Sequence, residues 1–272
     1  MEKLKGVEEK ITKKNNKGQV TIFIIIAILI VIAAVLIYWF YPQLKATFLF
    51  NEENPSAFLQ NCMEDELTEN IEKISLHGGS LNPEHYILYN NYQIEYLCYT
   101  GEYYKTCVMQ QPMLKAHIEE EIKKSIEVKS KECLDKLKIN YESKGYQVRI
   151  ESGEIKTELT PKKITISLNS PLTTIKGETK KYNSFDVILN NNLYELISIA
   201  NSILNWEARY GDAETTIYMN YYKDIKVEKK KQSEGSTIYI LTERSSQNKF
   251  QFASRSVAWA PGYGVKGVER FD

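Results

Sequence analysis

Histidine is nearly absent from this chain: His77, His85 and His117 are the only three in 272 residues. None stands at ligand spacing from another histidine or from a cysteine, and no CxxC pair occurs, so the familiar zinc donor sets have no carrier. A G-x-S-x-G nucleophile elbow is missing as well. Excess charge of either sign is also lacking. Lys plus Arg and Asp plus Glu both number 35, so no strong field for nucleic acid arises. The glycines of the tail, Gly262, Gly264 and Gly267, lack the strand–helix context and the lysine ending of a phosphate loop. These absences leave no legible nucleophile–base pair, cofactor cradle or metal set. The chain is expected not to be an enzyme, and to hold no cofactor, metal or nucleic acid.

One long apolar run is present. No charged residue falls between Lys17 and Lys45, and residues 20–41 as a helix reach about 33 Å at 1.5 Å per residue. A bilayer core of roughly 30 Å needs such a length. Tyr38, Trp39, Phe40 and Tyr41 gather at its far end, as side chains at a membrane–water interface do, and Pro42 ends or bends it. Six lysines precede it, whereas Lys45 alone follows before residue 73. The positive-inside rule then keeps the N-terminus in the cytoplasm and exports the remainder. The sequence therefore predicts a basic leader over residues 1–18, a transmembrane helix over 19–42, and one exported part with the lipid bilayer as partner.

The order of residues at the start of the run carries a further reading. A cleavable secretory signal places small residues after a shorter apolar stretch. Here Lys17, Gly18, Gln19, Val20 and Thr21 come before it. That layout suits a cut on the cytoplasmic side, with the apolar segment becoming the new N-terminus. Lys17-Gly18-Gln19 resembles the class III signal of archaeal type IV pilin-like precursors. The resemblance implies cleavage between Gly18 and Gln19 by a prepilin peptidase, and packing against pilin-like subunits through the N-terminal helix. The fifth mature position carries Glu in that family and is Phe23 here. The departure points to a minor subunit, or to an anchored protein that does not polymerise. An uncut signal anchor is the plainer alternative. The exported part is also similar to surface proteins of small-genome archaea, through Cys62, Gly78-Gly79 and the late segment 236–256. That likeness implies a compartment and a kind of organism, and no activity.

The four cysteines fit export, because an oxidising exterior permits disulfides. Three pairings are possible. Cys98 with Cys107 as a loop staple and Cys62 with Cys133 joining two helices is the preferred one; unpaired buried thiols are the alternative. Residues 43–145 read as the helical, cysteine-containing part. Leu59, Met63, Leu67, Ile71 and Ile74 recur at helical spacing after Pro55-Ser56, with Ser56 as cap, and His77-Gly78-Gly79 closes the helix. Pro112 opens a second helix, with Leu114, Ile118, Ile122 and Ile126 on its buried side and Glu119, Glu120 and Glu121 on a solvated face. Between the helices, residues 86–104 hold seven tyrosines and read as an irregular hairpin turning at Thr100-Gly101. Tyr92, Tyr96, Tyr99, Tyr103 and Tyr104 are the candidate binding surface for sugar or protein, since tyrosine offers flat amphipathic contact area. A half-buried sheet is the bland alternative.

Residues 146–259 alternate as an antiparallel sheet with one buried face, interrupted by a helix over 192–208. Residues 260–272 read as a flexible tail. The expected class is α+β: an N-terminal transmembrane helix, then an exported domain of helices packed on antiparallel sheet. The expected role is a single-pass, membrane-anchored cell-surface protein, either a minor pilin-like subunit or a binding and adhesion protein, with an ectoenzyme as the weakest alternative.

Overall fold

The computed structural model describes residues 25–32 and 54–260. Two units are distinguished, residues 1–53 and a compact unit from residue 54 onward. Of the first, residues 25–32 form the described part of helix α1, with exposed apolar side chains. The expected transmembrane helix over 19–42 is corrected. Among the described residues, no helix is long and apolar enough to cross a membrane. The rest of that span lies outside the described residues, as do the leader 1–18, Lys17, Gly18 and Gln19, and residues 261–272 of the expected tail.

Helix α2 spans Pro55–Leu76. Its cap is Asn54, not Ser56: the Asn54 Oδ1 accepts from the Ser56 and Ala57 backbone N–H groups at 3.1 and 3.3 Å. Pro55 then sits in the first turn, where its missing N–H costs nothing. Leu59, Met63, Leu67, Ile71 and Ile74 are all buried, as the helical spacing requires. The helix stops at His77, and the Gly79 N–H closes back on the Ile74 carbonyl at 2.9 Å. Helix α3, Leu114–Ser143, is 30 residues long and buries Leu114, Ile118, Ile122, Ile126, Cys133 and Leu137. It lies along α2, and the Cys62–Cys133 disulfide joins the two, with Cα atoms 5.9 Å apart.

Three sheets surround this pair. The largest has the order β1 (Tyr86–Tyr89), β2 (Tyr92–Tyr99), β12 (Lys249–Arg255), β11 (Ser236–Glu243), β10 (Ile225–Lys231), with β3 (Val108–Met109) also on β2. It is mixed, which corrects the expected antiparallel sheet: β12 runs parallel to β2, with Ala253 opposite Tyr96 and Arg255 opposite Tyr99. A parallel neighbour needs a long crossover, and here some 150 residues intervene. The β1–β2 hairpin turns at Asn90-Asn91, both in left-handed backbone (φ 49° and 68°), and not at Thr100-Gly101. The two smaller sheets are antiparallel: β4 (Gln147–Ile150), β7 (Leu172–Lys176), β8 (Glu178–Tyr182), and β5 (Ile155–Thr160), β6 (Lys163–Leu168), β9 (Phe185–Asn190).

Helix α2 packs on β9 and β12, and α3 on β4 and β5. Helix α4 (Leu193–Tyr210) lies against β2, β3, β11 and β12, and the short α5 (Thr216–Tyr221) against β10. One continuous apolar core runs through helices α2 to α5 and all three sheets. The two parts expected on either side of residue 145 therefore share that core. A smaller cluster, Ile94, Tyr96, Ile238 and Ala253, is buried apart from it.

Candidate functional site

The loop after β2 is where the tyrosine-rich stretch meets the end of β12. Cys98 and Cys107 are bonded, with Cα atoms 5.3 Å apart, so the loop between them is stapled at both ends. Both disulfides follow the pairing preferred from the sequence, and no free cysteine remains. Segment 255–258 runs alongside the stapled loop. Thr100 N–H donates to the Arg255 carbonyl (3.1 Å), Tyr104 N–H to the Ala258 carbonyl (3.0 Å), and Val257 N–H to the Lys105 carbonyl (2.7 Å). Thr100 extends the β2–β12 pairing by one bond, and the loop then doubles back, so that residues 104 and 105 meet 258 and 257 in the opposite sense.

These two segments, the C-terminus of α4 and the β10–β11 turn enclose an open cleft of about 800 Å³. Tyr99, Tyr103, Tyr210 and Trp259 supply its aromatic walls. Tyr103 is 41% exposed, Tyr210 58% and Trp259 60%. Tyr104, 51% exposed, meets Trp259 edge-on with ring centroids 5.6 Å apart. The Arg255 guanidinium lies 5.4 Å from the Tyr103 ring and 6.0 Å from the Tyr99 ring, and its Nη1 donates to the Thr100 carbonyl. Asp212, Lys231, Gln232 and Glu234 bring polar groups to the opposite side. Asp212 pairs with Lys229 and, at 3.4 Å, with Lys231.

Two glycines set how closely the walls approach. Gly211 caps α4 in left-handed backbone (φ 79°), and a Cβ there would sit 2.0 Å from the Val257 Cγ2. A Cβ on Gly235 (φ 94°) would meet the Ala258 Cβ at 2.5 Å. Segment 257–258 crosses both turns in a space only glycine leaves open.

Beneath the cleft lies a closed polar group. Glu207 of α4 is 2% exposed. Its carboxylate accepts from the Tyr239 hydroxyl and from Ser254 Oγ at 2.9 Å, while the Ser256 hydroxyl donates to its carbonyl at 2.9 Å. Burial pushes the Glu207 carboxyl above the ordinary carboxylate range, with the two hydroxyl donors and Lys229 working the other way. The Tyr239 hydroxyl is pushed up as well, by burial and by the Glu207 charge.

The five tyrosines singled out from the sequence separate in space. Tyr99 and Tyr103 line the cleft and Tyr104 backs it through Trp259. Tyr96 is 8% exposed, its hydroxyl 2.8 Å from Ser236 Oγ and its ring against His85 and Tyr99. Tyr92 lines a different hollow, with Asn90 and Gln251. Trp259, Tyr210 and Arg255 were missed. They lie more than a hundred residues from the tyrosine-rich stretch, and nothing local marks them as its partners.

A serine–histidine–carboxylate group also exists. Ser80 Oγ donates to Glu95 Oε2 at 2.5 Å and stands 2.8 Å from His117 Nε2. In a nucleophilic triad the histidine sits between serine and carboxylate. Here the serine sits in the middle, and it is 6% exposed. Burial raises the Glu95 carboxyl and lowers the His117 imidazole, in each case against the charged form. Among the described residues no three His, Cys, Asp or Glu side chains gather as a metal ion would require.

No protein-family model matches the chain, and neither a curated protein nor a solved structure is significantly similar to it.

Proposed function

We propose that residues 54–260 are an exported recognition domain at the cell surface, kept there by attachment of the apolar run 20–41 to the lipid bilayer. The aromatic cleft is its contact face. The observation that carries this reading is the convergence of Tyr99, Tyr103, Tyr210 and Trp259 on one open cleft. Exposed aromatic side chains are costly to leave in water and earn their place at contact surfaces. Export is supported by the two disulfides, which use all four cysteines and persist in an oxidising compartment.

The test is co-sedimentation of the detergent-solubilised full chain with envelope fragments of the cells that produce it. The Tyr103→Ala, Trp259→Ala double variant is expected to lose at least tenfold in binding at unchanged melting temperature. Equal binding by the variant sinks the cleft as the contact face.

A second reading rests on Lys17-Gly18-Gln19. Cleavage after Gly18 by a prepilin peptidase makes the chain a minor pilin-like subunit that displays the same domain on an assembly. Mass spectrometry of the membrane-extracted protein separates the two: a chain retaining residues 1–18 removes the pilin reading and leaves the anchored one.

A further inference from the structure

We propose that the cleft between the stapled loop and the β10–β11 turn takes a neutral polysaccharide. This rests on the recognition reading of the same cleft and names its ligand. Three observations favour that chemistry. The walls are aromatic rings, which present flat faces to the C–H face of a sugar ring. The remaining lining is hydroxyl, amide and charged groups, the hydrogen-bonding set that sugar hydroxyls need, including Gln232, Ser233 and Thr237. Among the described residues its aliphatic side chains are Val257, Ala258 and Ala260, and these form no deep apolar hole for the anchor residue that peptide recognition uses.

Charge argues for a neutral ligand. Among the described residues the lining holds two cations, Lys231 and Arg255, and two anions, Asp212 and Glu234. Lys231 is 3.4 Å from Asp212, and Arg255 is committed to the Thr100 carbonyl and to two tyrosine rings. The described lining charges thus sum to zero, and neither an acidic nor a basic polymer meets a patch of one sign. The stapled loop fixes Tyr103 before binding, which lowers the ordering cost of the complex.

The experiment measures retention of the detergent-solubilised full chain on beads carrying a glucan, a mannan or a galactan. Beads carrying polyglutamate, polylysine or an unrelated neutral peptide serve in parallel. The expected result is retention on at least one neutral polysaccharide and on none of the peptides. Trp259→Ala and Tyr103→Ala each weaken it at least tenfold, while Trp259→Phe keeps most of it. Tyr221→Ala, 81% exposed and lining another cleft, leaves it unchanged. No retention on any of the three polysaccharides overturns the assignment, as does cleft-dependent retention on peptide beads. Retention insensitive to both cleft substitutions overturns it too. If the envelope fragments still bind through the cleft while all three polysaccharides fail, the ligand class is wrong and the recognition reading stands. If envelope binding ignores the cleft, the recognition reading itself is lost.

Discussion

Glu207 shows how much one side chain can hold. Its two carboxylate oxygens take hydrogens from Tyr239 and Ser254, and its own carbonyl takes one from Ser256, so it ties α4 to β11, β12 and the segment under the cleft. Facing it are Tyr239, the Lys229 cation and the Asp212 anion. Because burial raises its folded-state pKa above the ordinary value of 4.5, the folded protein binds this proton more tightly than the unfolded chain. The resulting stability is fully present below the unfolded pKa and is lost as pH rises through the folded one. Glu207→Gln keeps an acceptor for Tyr239 and removes the titration. Its stability relative to the natural protein should therefore improve from pH 4 upward through the raised pKa, by at most ~1.4 kcal/mol per pH unit. Glu207→Ala strands two buried hydroxyls and should cost about 3 kcal/mol. Urea melts of both variants between pH 4 and 8 check this. Parallel pH curves for the Gln variant and the natural protein would show that Glu207 does not titrate in that window. None of this network was visible in the sequence, where Glu207 is one acid among many; only burial gives it meaning.

Elements with a strong apolar period were legible, and polar ones were not. The stripes of α2, α3 and α4 are buried as their spacing requires. Strand β8, Glu178–Tyr182, has four exposed residues among its five and no alternation to read. Helix α5 has six residues, too few for a period, and is held by packing on β10. The glutamates of α3 were read as one solvated face, and two of the three are not. Glu119 Oε1 accepts from the Leu159 N–H at 2.8 Å, and Glu121 Oε2 accepts from the Leu81 N–H at 3.0 Å. Each side chain docks a different segment onto the helix. Glu120 pairs only with Lys123 on the exposed surface. Glu119→Ala should then cost about 1–2 kcal/mol, because it leaves a part-buried donor without a partner. Glu120→Ala should stay within about 0.5 kcal/mol, and Lys115→Ala should do likewise, since that ion pair is half in water. Equal effects of the Glu119 and Glu120 substitutions in denaturant unfolding would restore the solvated-face reading for Glu119.

At the scale of the molecule, the information that assembles the cleft is non-local. Alternation within β2 and within β12 says that both are strands, but it does not say that they pair, or that they run parallel. That pairing sets Tyr103 and Trp259 on the same cleft, so the aromatic lining contributed by the tyrosine-rich stretch was readable and the lining contributed from elsewhere was not. The disulfides make the same distinction testable. Cys62–Cys133 closes a separation of 71 residues and Cys98–Cys107 one of 9. On loop entropy alone the first restrains the unfolded chain by about 4 kcal/mol and the second by about 2.5 kcal/mol. The first joins α2 to α3; the second is buried in the shared core and also holds the loop that carries Tyr103 and Tyr104. Stability and binding should therefore separate. The Cys62→Ala, Cys133→Ala variant should show the larger fall in melting temperature and near-natural ligand retention below its transition. The Cys98→Ala, Cys107→Ala variant should melt closer to the natural protein, yet lose binding because Tyr103 is no longer fixed against Arg255. If both double variants lose binding only in proportion to lost stability, the staple is structural and the loop needs no fixing for the cleft to work.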